Sequence, residues 1–223
     1  GIFSFFSYPF AYPFVWVVTF LSIFIITSEY IKPLFSNILI KKIACMFILT
    51  YSLFGSSKLF ERIQAELDWG KASTLALCKS YNETLPTYER LEKMFVSNPY
   101  FLYNYAAVLQ EMKQYTESLE VALKCRQYWA DYDLELIIGE NYQQLNKPEL
   151  AEKYYNSASM MCPSRFLPLY KLFHLYKTNG EKERSLAMAE AVISKPMKIK
   201  TTTIRMMKRE MEREIQKMNM SIK

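Results

Sequence analysis

A period of 33 to 34 residues constrains this chain more than any other feature. Counting from Tyr132, Gly139 falls eighth, Tyr142 eleventh, Ala151 twentieth, Tyr155 twenty-fourth, Ala158 twenty-seventh and Pro163 thirty-second. Small residues at the eighth and twentieth places let two helix backbones cross closely, and aromatics beside them fill the gap to the next pair. Pro163 ends the second helix because it has no amide donor and clashes with the preceding turn. The pattern returns on both sides. From Pro99, Ala106, Leu109, Ser118 and Ala122 take the eighth, eleventh, twentieth and twenty-fourth places. From Phe166, Leu169, Leu172 and Tyr176 take the fourth, seventh and eleventh, and Ser185 and Ala189 the twentieth and twenty-fourth. Pro99, Pro163 and Pro196 punctuate the same array.

That period and placement are those of tetratricopeptide repeats, antiparallel helix pairs stacked side by side. The expected fold class is therefore all-α: two N-terminal transmembrane helices, then a tetratricopeptide-repeat solenoid closed by a C-terminal capping helix. The boundaries follow from composition. Residues 1–57 read as a membrane segment, 58–97 as a linking helix pair, 98–196 as three repeats and 197–223 as an amphipathic cap.

The membrane reading rests on residues 1–57, where Glu29, Lys32, Lys41 and Lys42 are the only charges. The opening GIFSFFSYPFAYPF is rich in Phe and Tyr, which suit a membrane interface, and Pro9 and Pro13 interrupt any helix there. With part of that stretch, Val15 to Ile31 reaches the ~20 apolar residues that cross a bilayer core, giving a first span at about 9–31. A second apolar run, Ile43 to Gly55, is short by itself. Extended to about 39–60, with Lys41 and Lys42 snorkelling, it gives a second span; the competing reading is an interfacial or buried helix. Lys32, Lys41 and Lys42 would face the cytoplasm, placing the repeats on the other side, the periplasm of a Gram-negative cell. The chain begins Gly-Ile-Phe without Met or a basic leader, so the reading is of a membrane helix and of the C-terminal piece of a longer protein.

In the linking region Phe60, Ile63, Leu67 and Leu75 form one broken stripe, and Tyr88, Leu91 and Phe95 another, with Pro86 suiting the first turn of the second helix. At the other end Ile204, Met207, Met211, Ile215 and Met218 recur at helical steps, leaving Lys208, Arg209, Glu212 and Arg213 outside. The charge excess of +6 sits mostly in this tail, whereas residues 98–196 hold eleven basic and twelve acidic side chains. A repeat array so balanced offers no basic face, and no nucleic-acid partner is expected.

Chemistry has little foothold. His174 is the only histidine, and Cys45, Cys78, Cys125 and Cys162 are scattered without a Cys-x-x-Cys pair, so neither a metal nor another cofactor is expected. Glu111, Glu140 and Asp133 fall on groove positions, but nothing pairs two of them as acid and base. No catalytic residue is expected within this chain. What the repeats offer is a groove. Its lining is predicted to be Tyr100, Tyr103, Ala107 and Gln110 from the first unit, Leu136, Glu140, Gln143 and Gln144 from the second, and Leu167, Tyr170, His174 and Lys177 from the third. Such a lining suits an extended peptide or a sugar; a groove filled by water or by the chain's own tail is the plainer reading.

Several motifs carry a resemblance. They are the Tyr-Pro-Phe pairs at 8–10 and 12–14, Trp69 to Ala72, NPYFLYNY at 98–105, CPSRFLPLY at 162–170 and Lys195-Pro196. Together they resemble the C-terminal part of O-antigen ligase and polymerase family membrane proteins that carry a tetratricopeptide tail. The resemblance implies a parent that is a polytopic inner-membrane glycosyltransferase using an undecaprenyl-diphosphate-linked glycan. It also implies a repeat domain in the periplasm, working with an envelope protein or glycan beside the lipid bilayer in surface-polysaccharide assembly. The family's functional Arg and His loops are not in this chain, so no catalytic residue is carried over. The alternative is a membrane-anchored tetratricopeptide adaptor without enzymatic activity.

Overall fold

A computed structural model describes residues 38–197 and 201–220, and within these the chain is all-helical. Nine helices lie among the described residues: α1 (Ile38–Leu77), α2 (Tyr81–Leu91), α3 (Pro99–Glu111), α4 (Tyr115–Arg126), α5 (Tyr132–Gln144), α6 (Pro148–Met161), α7 (Leu167–Thr178), α8 (Lys182–Ser194) and α9 (Thr202–Met220). The chain divides into two compact units, Gly1–Leu67 and Asp68–Lys223.

In the first unit the described residues belong to the N-terminal part of α1. They correct the two-span expectation. Among the described residues no helix is long and apolar enough to cross a membrane. The physical reason lies in the sequence of α1. Its apolar run from Ile43 to Gly55 is bounded by Lys41 and Lys42 before and by Ser56, Ser57 and Lys58 after. At ~1.5 Å per residue that run covers ~20 Å, short of the ~30 Å of a hydrocarbon core. Beyond it α1 turns polar, with Lys58 bonded to Glu61 at 2.8 Å and Arg62 to Glu66 at 3.0 Å. The proposed second span at 39–60 is thus the first part of a longer, increasingly charged helix. The first, at about 9–31, lies outside the described residues, and the periplasmic placement depended on both.

The second unit is a stack of helix pairs, α3/α4, α5/α6 and α7/α8, each packed on the next and followed by α9 on α8. One turn recurs along it. Lys79, Lys113, Asn146 and Gly180 all have positive φ, 55° to 77°, spaced by 34, 33 and 34 residues. Each follows the first helix of a pair in a left-handed cap, where the next amide reaches back to satisfy a carbonyl of the helix's last turn. The bonds are Ser80 N to Leu75 O, Gln114 N to Leu109 O, Lys147 N to Tyr142 O and Glu181 N to Tyr176 O, 2.9–3.0 Å.

Lys79 extends this phase one period upstream of Pro99. Ala72, Thr84, Tyr88 and Leu91 then occupy the eighth, twentieth, twenty-fourth and twenty-seventh places, and all four are buried. The end of α1 and α2 therefore adopt the repeat's own geometry. Arg90 bonds Asp68 at 2.7 Å, and Trp69 packs on Phe95 and Phe101 with ring centroids 5.4 and 5.7 Å apart. Pro86 sits inside α2, which begins at Tyr81, five residues earlier than a first-turn proline would place it.

Helix starts follow local chemistry. Asn98 accepts hydrogen bonds from the amides of Tyr100 and Phe101 with Pro99 in the first turn, and Asp131 accepts one from Asp133. Close crossings occur where small residues predicted them. A methyl on Gly139 would stand 2.7 Å from the ring of fully buried Tyr155. Ser118 donates to Ala106 O at 2.7 Å and accepts from Asn141 Nδ2 at 2.7 Å, tying α3, α4 and α5 through buried polar groups. The third pair departs from the pattern: Phe173, fully buried, stands at the eighth place and packs with Ala189, Val192 and Met211. Met211 belongs to α9, whose Ile204, Met207, Ile215 and Met218 join the same cluster. Lys208, expected on the outside, is half-buried and donates to Ile193 O and Lys195 O at 2.6 Å, satisfying the end of α8.

Candidate functional site

The predicted groove residues lie on the first helix of each pair, α3, α5 and α7, and the structure gives them three different fates. In the second pair most are spent on holding helices together. Glu140 accepts from Lys171 of α7 at 2.7 Å, and Gln143 accepts from the Tyr155 hydroxyl at 2.8 Å. Leu136 is buried in the core with Tyr155 and Leu172, and Gln144 is exposed. Gln110, from the first pair, reaches α5 and donates to Ile137 O and Asn141 Oδ1 at 3.4 and 3.3 Å.

In the third pair three of the positions, Tyr170, His174 and Lys177, meet α9. Tyr170 donates its hydroxyl to Glu210 at 2.9 Å, and burial, reinforced by that bond, pushes its pKa up to about 12. Lys177 pairs with Glu214, which also takes Lys217 at 2.9 Å; the two ammonium groups hold the Glu214 carboxyl below its ordinary pKa. His174 lies between them. Its ring meets Tyr170 and Phe173 edge-on at 4.4 and 5.0 Å. Its Nε2 stands 3.4 Å from Glu210 Oε1, within ion-pair range but outside hydrogen-bond geometry. Burial lowers the imidazole pKa, Glu210 opposes that, and Lys177 and Lys171 add to it. Histidine here is a packed neighbour of the closing helix, and among the described residues no nucleophile bonds to it. Leu167 packs against the core cluster of the second and third pairs.

The first pair is different. Tyr100 is 64% exposed and Tyr103 half-buried, and both lean on Trp129 in the α4–α5 connection. The Tyr100 and Trp129 ring centroids are 5.4 Å apart at 46°, and those of Tyr103 and Trp129 5.9 Å apart at 71°. Burial raises the Tyr103 pKa, and the nearby charges of Asp133 and Asp131 raise it further. Asp133 itself is raised, by burial first and by Asp131 second, with Arg165 opposing. Among the described residues neither aspartate forms an ion pair.

Sequence reasoning named Tyr100 and Tyr103 but missed Trp129, which lies outside the helical positions that define a repeat groove. It also missed Glu210 and Glu214, although their four-residue spacing puts both on one face of α9. Glu135 was missed as well. Its side chain is fully buried and takes Arg126 Nε through one oxygen, while Arg126 lies over the Tyr154 ring at 5.4 Å. This pair joins the first and second repeats and has a structural role. Cys125 is equally interior: its thiol donates to Pro99 O at 3.2 Å, and burial pushes its pKa to about 11.

No protein-family model matches the chain, and no curated protein matches it. Solved structures do. A crystal structure of MamA superimposes with a TM-score of 0.54 at 14% identity, covering 58% of this chain and 72% of that one. MamA from Desulfovibrio magneticus RS-1, from residue 41 to its end, gives 0.53 at 18%, covering 66% and 76%. YrrB, described as a TPR protein with an unusual peptide-binding site, gives 0.51 at 18%, covering 57% and 66%. At these identities the likeness establishes the fold, a tetratricopeptide-repeat stack. None of the three comparisons brings an O-antigen ligase region into view.

Proposed function

We propose that this chain is a non-enzymatic tetratricopeptide scaffold that holds an extended segment of a partner protein along the groove positions of its first two repeats. One observation carries the proposal: at the fifth groove position the third repeat's Tyr170 is bonded to the chain's own α9, whereas in the first repeat Tyr103 is half-buried beside exposed Tyr100, with no cation over either ring among the described residues. Exposed Tyr and Trp are costly to leave in water and effective in binding, because they bring large contact area with few rotatable bonds. The printed description of YrrB as peptide-binding supports the same use of the fold.

The adaptor reading takes over from the glycosyltransferase tail, because the motifs that suggested that tail lie within a generic repeat fold or outside the described residues. It requires neither a bilayer nor a glycan. A photoreactive benzoylphenylalanine at Gln144 is expected to crosslink to a partner protein, with little crosslinking from Lys153 on α6. Equal yields from the two positions would contradict a groove-bound segment.

A further inference from the structure

In the repeats, three tyrosine faces are supplied with an arginine from within the fold. Arg126 lies over Tyr154 at 5.4 Å, Arg165 over Tyr132 at 5.8 Å and Arg184 over Tyr176 at 4.0 Å. The corner made by Tyr100, Tyr103 and Trp129 contrasts with these three. Among the described residues no cation lies over any of its three rings, although these rings meet at steep angles and Tyr100 is the most exposed of them. We propose that this corner, with Asp133 beside it, receives the side chain of a lysine or arginine in the bound partner segment.

The chemistry favours a cation over other occupants. A ring's negative face attracts ammonium or guanidinium, more strongly as water is excluded. Two carboxylates stand close by, and Asp131 spends one oxygen on the Asp133 amide, which leaves the Asp133 carboxylate to pair with an incoming charge. Arg165, the cation that acts on Asp133, lies over Tyr132 instead. An acidic segment would meet repulsion from both aspartates. A purely apolar one would bury Asp133 without a partner, which is unfavourable. The position also fits an extended chain, since Tyr100 and Tyr103 begin α3 and Asp133 begins α5, so the corner spans two neighbouring repeats.

This inference rests on the scaffold reading and is tested separately from it. The full 223-residue chain is titrated with a capped Gly-Arg-Gly-Arg-Gly peptide and with its uncharged citrulline counterpart, following the Trp129 indole N–H signal by NMR and Kd by calorimetry. The arginine peptide is expected to shift that signal and to bind about tenfold more tightly than the citrulline peptide. Tyr100→Leu, Trp129→Leu and Asp133→Asn should each weaken its binding, by about three- to thirtyfold. Tyr100 is largely exposed, so Tyr100→Leu decides the matter if Trp129→Leu fails to fold by circular dichroism. Equal binding of the two peptides, or unchanged binding by folded Tyr100→Leu and Asp133→Asn, overturns the inference. If crosslinking from Gln144 persists in that case, the scaffold stands and only the basic-residue receptor falls. If Gln144 captures no partner protein, both fall.

Discussion

The first and third repeats share an aromatic groove position, the fifth, and use it in opposite ways. Tyr103 and Tyr170 are both fifth in their units. Tyr103 faces Trp129 at a partly open corner, whereas Tyr170 is bonded to Glu210 of α9. The neighbour makes the difference. A repeat groove position is a place on a helix, and its role depends on what the chain stacks beside it. At the third repeat the next helix brings Glu210, Glu214 and an apolar stripe; at the first, a loop brings Trp129 and the start of α5 brings Asp131 and Asp133.

The largest test strikes the closed end. Phe173→Ala removes a fully buried ring from the cluster that seats Met211 and should cost about 3–5 kcal/mol in urea unfolding. A loss below about 1 kcal/mol would mean that α9 is not held there. Gly139→Ala tests the middle of the stack. The added methyl would stand 2.7 Å from the ring of fully buried Tyr155, so a loss of about 1–3 kcal/mol is expected; no loss would mean that the α5–α6 crossing is looser than described. Tyr170→Phe deletes only the hydroxyl bonded to Glu210, and about 1–2 kcal/mol should go with it. Tyr103→Phe should show no such loss.

A smaller effect is expected from His174. Its folded pKa is depressed by burial, so its stability contribution is complete above the ordinary value of about 6.5 and is lost as pH falls through the lowered folded value. Thermal unfolding across that range should therefore show stability falling toward acid. His174→Gln should flatten that part of the profile; an identical slope in the variant would place the titration elsewhere. Smallest of all, Tyr100→Ala at the open end should change stability by no more than about 0.5 kcal/mol. A larger loss would mean that Tyr100 is part of the core.

The sequence disclosed the three central pairs by their period, and in the first two Ala106, Ser118, Gly139 and Ala151 mark crossings that depend on residue size. It showed the preceding pair only as a linking helix pair and concealed its repeat phase. There Thr84 and Leu91 stand where smaller residues mark the other units, and α1 continues upstream into an apolar run that masks where the repeat begins. The left-handed turn was legible only in part. Gly180 and Asn146 are natural in that conformation, but Lys79 and Lys113 adopt it without advertising it. The second-span expectation failed because the apolar run Ile43–Gly55 is short and closed at both ends, by Lys41 and Lys42 before it and by Ser56, Ser57 and Lys58 after it. At the site, repeat positions located Tyr100 and Tyr103. They could not locate Trp129, which comes from a connection, or the closure by α9, which depends on a contact 40 residues away.

Hydroxyl-radical footprinting of the full chain, read by mass spectrometry, measures the contrast between the two ends directly. Tyr100 and Trp129 should be oxidised much faster than Tyr170, Phe173 and Met211. Comparable rates at both ends would contradict an open first repeat and a third repeat closed by α9.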